Sequence, residues 1–285
     1  MLISNMSGIE SRAFDEAYEL AQSGEAEEAI RRLHRLAEEV ALPGDKVAIM
    51  YYEALCLVES ERILEARERF LRIQAHLGTI DEAGLDPNGH GIFSELKVLV
   101  SFLEAKLLIA EDNQSSALTI LTQLNSEFRN DISSPKFGEI RNQVQMLLGT
   151  LLADAGRFEE AMPILDNATA PTVDWEGLLR FYRARCHYEL SEYEITKVLL
   201  LEALKFALIS KWKAWTHYLL GPAYYHLSDF ANAKIQFELC LKIANNDFAK
   251  TKRVFEWLEA TVRSSRSVTS GNVVVRPPSE KRQPS

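Results

Sequence analysis

The most regular pattern of apolar and polar positions in the chain runs from Trp215 to Asn246. Apolar residues recur there at helical spacing, which predicts two antiparallel helices. Such helices approach closely only where both present small side chains, and Gly221 and Ala233 meet this condition. Tyr224 and Phe237 are expected to fill the space on either side of that contact.

The same residues form a recognisable motif. Leu220-Gly221, Tyr224, Ala233 and Phe237 reproduce the L-G-x-x-Y…A-x-x-x-F spacing of a tetratricopeptide repeat, and Cys240 supplies a further small residue. The stretch therefore resembles that family, although His217 stands where Trp is usual. The resemblance implies an all-α, TPR-like α-solenoid, a right-handed superhelix of helix-turn-helix repeats that serves binding.

Five weaker copies of the motif precede this stretch. Their paired small residues are Ala17 and Ala29, Ala54 and Ala66, Ala105 and Ala117, Gly149 and Ala161, and Ala184 and Thr196. The first-helix small residues are separated by 37, 51, 44, 35 and 37 positions, whereas the usual period is about 34. The excess falls at residues 77–91 and 130–138, which we interpret as loops or extended helix ends.

Residues 247–266 are predicted to form one more helix, which would cap the stack with a stripe of Phe248, Phe255, Leu258 and Val262. The following segment, 267–285, is polar and aperiodic and is predicted to be disordered. The predicted organisation is a lead at 1–9, a repeat domain at 10–266 and a tail at 267–285.

Charge is distributed unevenly along the chain. The net charge is −9, with −15 over residues 1–174 and +6 over residues 175–285. The acidic part disfavours nucleic acid, because affinity for the backbone comes from neutralising phosphates. The basic part leaves an RNA-binding helical-repeat protein open as an alternative.

Targeting features indicate a cytoplasmic protein. The first residues carry no cationic segment followed by an apolar run, and no apolar stretch reaches the length of a membrane span. The odd number of cysteines (Cys56, Cys186 and Cys240) and their wide separation favour buried, reduced thiols.

Motifs for catalysis, cofactors or metals are missing from the sequence. It contains no phosphate loop, no H-E-x-x-H and no paired C-x-x-C. A faint resemblance of the segment at Asp86 to a calcium loop fails, because Lys97 occupies the position that requires Glu. We therefore expect that the protein is not an enzyme and that it binds neither a cofactor nor a metal ion.

The resemblance also implies where a partner would bind. In the tetratricopeptide family the first helix of each repeat lines a concave groove, and fixed offsets from the small residue point into it. These offsets select Phe102, Phe181, Arg185, Tyr188, Trp215, Tyr218, Tyr225 and His226 as candidate partner-binding residues. Arg183, Lys211 and Lys213 lie nearby. The open alternative is that several of these residues pack in the core.

We interpret the chain as a non-catalytic scaffold or adaptor that binds a peptide or partner protein. Aromatic residues and Arg are enriched in binding hot spots, so a partner with apolar anchors and some acidic residues is expected. Arg185 is expected to pair with a ligand carboxylate. Chaperone-tail recognition is disfavoured, because Phe181, Arg185, Tyr218 and Pro222 replace the Lys and Asn of that clamp. A regulatory subunit of an enzyme remains an alternative.

Overall fold

A computed structural model describes residues 8–130, 138–170, 173–206, 208–244 and 250–270, which are predominantly α-helical. A short 3₁₀ helix occupies Glu82–Gly84. The α-helices are α1 (Gly8–Gln22), α2 (Ala26–Glu39), α3 (Pro43–Glu59), α4 (Ile63–Leu77), α5 (Pro87–Ala110), α6 (Gln114–Asn130), α7 (Gly138–Asp154), α8 (Phe158–Asn167), α9 (Val173–Glu189), α10 (Tyr193–Ala203), α11 (Ser210–His226), α12 (Phe230–Ile243) and α13 (Thr251–Ser270).

The six predicted helix pairs and one further helix are confirmed. The small residues selected from the sequence are all buried at the pair contacts: Ala17, Ala29, Ala54, Ala66, Ala105, Ala117, Gly149, Ala161, Ala184, Thr196, Gly221 and Ala233. The three atoms nearest to a Cβ built at Gly221 all belong to the Phe237 ring, which fills the space beside this contact.

Every pair turns at the same position. The seventh residue after each first-helix small residue has a positive φ angle in all six pairs: Gly24 (87°), Glu61 (60°), Asp112 (60°), Gly156 (74°), Ser191 (65°) and Ser228 (64°). The N–H of the next residue donates back into the first helix, for example from Arg62 to the Leu57 carbonyl at 2.9 Å. This left-handed turn satisfies carbonyls that the helix end would leave without a partner.

The chain divides into two compact units, residues 1–138 and 139–285. In the first unit α2 packs against α3 and α4 against α5. In the second unit α8 packs against α9, α10 against α11 and α12 against α13. Within each unit a second helix therefore lies between two successive first helices, as stacked repeats require.

The first long interval contains an interrupted segment, as predicted. α4 ends at Leu77, the 3₁₀ helix follows, and α5 begins at Pro87. The Asp86 carboxylate caps α5 by accepting a hydrogen bond from the Gly89 N–H at 2.7 Å. The second predicted insertion, 130–138, lies almost entirely outside the described residues.

α13 covers the end of the second unit, but it does so with a different face from the predicted one. Its buried residues are Val254, Trp257, Ala260, Thr261 and Ser264. Of the predicted stripe, Phe255 is 51% exposed, Leu258 and Val262 are half-buried, and Phe248 lies outside the described residues. The helix begins at Thr251 rather than 247 and ends at Ser270, four residues into the predicted tail. The rest of that tail, 271–285, is also outside the described residues.

The misassigned face has a physical cause. Thr261 donates its hydroxyl to the Trp257 carbonyl at 2.7 Å, and the Ser264 and Tyr225 hydroxyls are hydrogen-bonded at 2.8 Å. Hydroxyl groups with partners can be buried at little cost. A pattern based on apolar residues alone does not detect them.

Candidate functional site

The eight candidate residues divide into two groups by burial. Phe102, Phe181, Tyr188 and Tyr225 expose 1%, 2%, 7% and 5% of their surface. Arg185, Trp215, Tyr218 and His226 are half-buried and reach the surface. The four residues of the first group therefore belong to the core, which is the alternative that the sequence left open.

Phe181 and Tyr225 show what the buried group does. The Phe181 ring packs against Tyr182 and Trp212, with centroid distances of 5.4 and 5.3 Å. Tyr225 packs edge-on against Trp257 at 5.2 Å and is hydrogen-bonded through its hydroxyl to Ser264. The Phe181 ring thus connects α9 with α11, and the Tyr225 ring connects α11 with α13.

Trp215 and Tyr218 form an aromatic pair on α11. Their rings meet edge to face at 5.5 Å, a favourable geometry for aromatic side chains. Tyr218 also packs against the buried cluster that includes Phe237 and Trp257. The pair is thus held in place while part of each ring stays accessible.

His226 links three helices at the other end of α11. Its ring stacks on Tyr193 of α10 with a centroid distance of 4.2 Å and an interplanar angle of 6°. Trp257 of α13 approaches the same ring edge-on at 6.0 Å. The imidazole therefore has an aromatic neighbour on two sides.

The Arg185 guanidinium already has partners within the chain. Its Nη1 forms an ion pair with Asp154 of α7, and its guanidinium lies 5.8 Å from the Phe158 ring and 6.0 Å from the Tyr182 ring. The Tyr182 hydroxyl donates to the other Asp154 oxygen at 3.2 Å. Burial and the Asp154 charge raise the pKa of Tyr182, so this hydroxyl stays protonated and remains a donor.

The same arrangement occurs in the first unit. Lys106 of α5 pairs with Glu59 of α3 at 3.3 Å. In both cases the acid lies five residues after one small residue and the base lies one residue after the next small residue. The structure thus places ion pairs between neighbouring first helices at matching offsets. The sequence carries this signal in the repeat register, because the acid and the base stand at constant offsets from the small residues.

Arg183 has a structural position. Its guanidinium donates to the carbonyls of Leu165, Asp166 and Ala168 at 2.8 to 3.2 Å, at the end of α8. A cation at this end also interacts favourably with the helix dipole. Arg183 therefore caps α8.

A buried ionic cluster in the first unit was not found from the sequence. The Glu53 carboxylate, 2% exposed, accepts a hydrogen bond from Arg69 Nη2 at 2.7 Å and lies 3.2 Å from His34 Nδ1. Its second oxygen, Oε2, has no hydrogen-bond partner among the described residues, and Glu53 is one of the residues that line a cavity of about 90 Å³. Burial raises the pKa of Glu53, although Arg69 and His34 oppose the shift.

Comparison with solved structures identifies the fold. The apo form of RapI matches with a TM-score of 0.61 at 14% identity, over 92% of this chain and 73% of that one. A Rap protein complexed with competence and sporulation factor matches with a TM-score of 0.58 at 12% identity, over 93% and 74%. The C-terminal part of a TPR repeat-containing protein from Cytophaga hutchinsonii has a TM-score of 0.50 at 14% identity, over 90% and 88%.

This chain has the tetratricopeptide-repeat fold, an all-α architecture of helix pairs. The likeness to these structures is one of fold, since the identities are low. No protein-family model matches the sequence, and no curated protein matches it either. Among the described residues, no helix is both long and apolar enough to cross a bilayer.

Proposed function

We propose that this chain is a non-catalytic adaptor that binds a peptide or a segment of a partner protein along the first helices of its second unit. The observation that carries the proposal is the arrangement of Trp215, Tyr218 and Arg185. These side chains reach the surface on neighbouring first helices, and each is held by packing contacts. Held aromatic and Arg side chains lose little entropy on binding.

The bound form of a similar fold supports the proposal. One of the matching structures is a Rap protein in complex with competence and sporulation factor. The present chain shares that fold over most of its length. We propose that it likewise acts as a soluble, cytoplasmic adaptor.

The ion pair with Asp154 changes which ligand group Arg185 is expected to bind. A ligand carboxylate would approach the Asp154 charge and would have to compete with it for Nη1. A neutral acceptor such as a backbone carbonyl meets no such repulsion, and the guanidinium has further N–H donors to offer. We therefore expect Arg185 to hold the ligand backbone, with Trp215 and Tyr218 contacting apolar anchors.

The RNA-binding alternative receives less support. Eight basic side chains of the second unit that the structure describes are already paired with carboxylates of this chain. These residues are Arg157, Arg180, Arg183, Arg185, Lys197, Lys234, Arg253 and Arg263. Binding RNA phosphates would require breaking these pairs.

Partner capture by variants tests the proposal. The tagged chain is incubated with a lysate of its native host, and captured proteins are identified by mass spectrometry. Arg185→Gln, which removes the guanidinium without placing a second carboxylate beside Asp154, and Tyr218→Ala should each reduce the captured partner while the chain stays folded and unfolds cooperatively. Arg157→Glu and Phe255→Ala serve as matched controls, because both residues are surface-exposed and lie outside the candidate set. Unchanged capture by both site variants would refute the proposal, and an RNA gel shift at low salt would favour the alternative.

A further inference from the structure

A second surface of the second unit combines exposed apolar residues with lysines that form no ion pair with any described residue. It lies where the connection between α10 and α11 meets the start of α9. Its members are Trp175, Lys205, Ile209, Lys211 and Lys213, which we call the rim patch. None of them is one of the eight candidate groove residues, although Lys211 and Lys213 were expected to lie near that groove.

Contacts around Gly177 bring the two segments together. A Cβ built on Gly177 would come within 2.9 Å of both Leu208 Cδ2 and Phe206 Cβ. The connection therefore lies directly against α9 at this point. Trp175 is two residues before the contact, and Ile209 follows Leu208.

The apolar members of the rim patch are exposed to solvent. Ile209 is 63% exposed and Trp175 is 43% exposed. Adjacent exposed apolar residues with a polar border mark interaction sites more often than single ones do.

The lysines supply the second feature. Among the described residues, none of Lys205, Lys211 and Lys213 forms an ion pair, in contrast to the paired basic residues of the same unit. Two acidic residues close by in sequence, Glu176 and Glu202, both pair with Arg180 instead. The three lysines of the rim patch are therefore not paired with a carboxylate among the described residues.

The position of two lysines is also unfavourable for the fold itself. Lys211 and Lys213 lie in the first turn of α11, which contains no acidic residue. A cation at this end of a helix opposes the helix dipole. Their placement thus does not stabilise α11, whereas an anionic partner would make it favourable.

From these observations we propose that the rim patch docks an acidic partner segment carrying large apolar side chains. The apolar residues would contact Trp175 and Ile209, and the carboxylates would pair with the three lysines. A protein segment fits better than a polyanionic surface, since a segment touches only this local patch. The acidic remainder of the chain would repel an extended anionic surface.

A synthetic probe tests the docking directly. A dye-labelled peptide in which leucines alternate with pairs of acidic residues is titrated with the full chain, and binding is followed by fluorescence anisotropy. The parent should bind with an affinity that falls as salt rises. Replacing Lys205, Lys211 and Lys213 together with Gln should weaken binding by about tenfold or more and flatten the salt dependence. Ile209→Ser should weaken binding at an unchanged salt dependence.

Matched controls separate this surface from others. Changing the exposed lysines Lys234, Lys242 and Lys252 to Gln should leave affinity unchanged, and so should Arg185→Glu in the candidate groove. Lys211→Glu should abolish binding without lowering the melting point, because an acid suits the start of α11.

Three results would overturn the proposal. The first is that the parent does not bind the probe or that the triple Gln variant binds it equally well. The second is that a probe with serines in place of leucines binds equally well. The third is that the chain ignores the probe and sediments with phosphatidylserine vesicles instead.

Discussion

The ring of Phe237 occupies the space that a side chain at Gly221 would need. A Cβ added at Gly221 would lie 2.3 Å from Cε1 and 2.5 Å from Cζ of that ring. Gly149 and Leu165 stand in the same relation two helix pairs earlier, at 2.6 Å. A glycine on the first helix thus permits a large residue on the second.

Gly221→Ala should therefore destabilise the protein. Phe237 is completely buried and has little room to move, so we expect a loss of about 1–3 kcal/mol from overpacking. Gly91→Ala is the matched control, because nothing lies within 4 Å of its Cβ position and Ala favours helix. Thermal unfolding of both variants gives the comparison, and equal melting points would contradict the packing described.

The left-handed turns give a second prediction. Ser228→Gly and Asp112→Gly should each raise the free energy of unfolding by roughly 0.5–1 kcal/mol, since a non-glycine residue is strained at positive φ. Gly156→Ala should lower it by a similar amount at the equivalent position of the fourth pair. Urea unfolding measures these differences, and a stabilising Gly156→Ala would argue against the common turn.

The buried ion pair of Glu53 and Arg69 gives a third prediction. Glu53→Ala leaves the Arg69 charge buried without its partner and should cost about 3–5 kcal/mol. Replacing both residues, as Glu53→Leu with Arg69→Met, should cost much less because no unpaired charge remains. A double variant no more stable than Glu53→Ala would show that the pair is not energetically coupled.

The raised pKa of Glu53 adds a pH dependence. The folded chain holds this proton more tightly than the unfolded chain, so the stabilising contribution is complete below about pH 4 and is lost as pH rises through the folded pKa. Stability of the parent relative to Glu53→Gln should therefore decrease as pH rises through that window. A difference that increases with pH would mean that the ion pair lowers the pKa instead.

The cysteines should be unreactive in the native protein. Burial raises the pKa of Cys56 to about 11 and those of Cys186 and Cys240 to about 12. At pH 8 a thiol with a pKa of 11 is thiolate in only about one molecule in a thousand, and thiolate is the reactive form. Ellman's reagent should react slowly with the folded chain and promptly in guanidinium chloride. Prompt reaction in the folded state would show that a thiol is accessible.

Repeat register was the part of the fold that could be predicted from the sequence. Ala54 and Ala66, for example, follow the spacing of Gly221 and Ala233 and are fully buried. Small residues at a constant spacing are required wherever two helices touch closely, so the signal survives even where larger residues vary.

The candidate site could be predicted only in part. Tyr225 and Trp215 occupy equally plausible offsets on one helix, yet Tyr225 is buried by α13 and Trp215 is not. Which of them is covered depends on a helix some thirty residues away whose buried face includes Thr261 and Ser264. Local periodicity does not encode such a contact, and the Asp154–Arg185 pair likewise depends on the register between two repeats.

The ion pairs between neighbouring first helices mean that a single repeat cannot be duplicated or exchanged without losing a charge partner. Glu59 finds its cation in the next repeat, and so does Asp154. If the fourth repeat were duplicated in tandem, Asp154 would face Thr150 of the copy instead of Arg185. Recombination between such chains would therefore preserve the Asp154–Arg185 ion pair only when the fourth and fifth repeats are transferred as one segment.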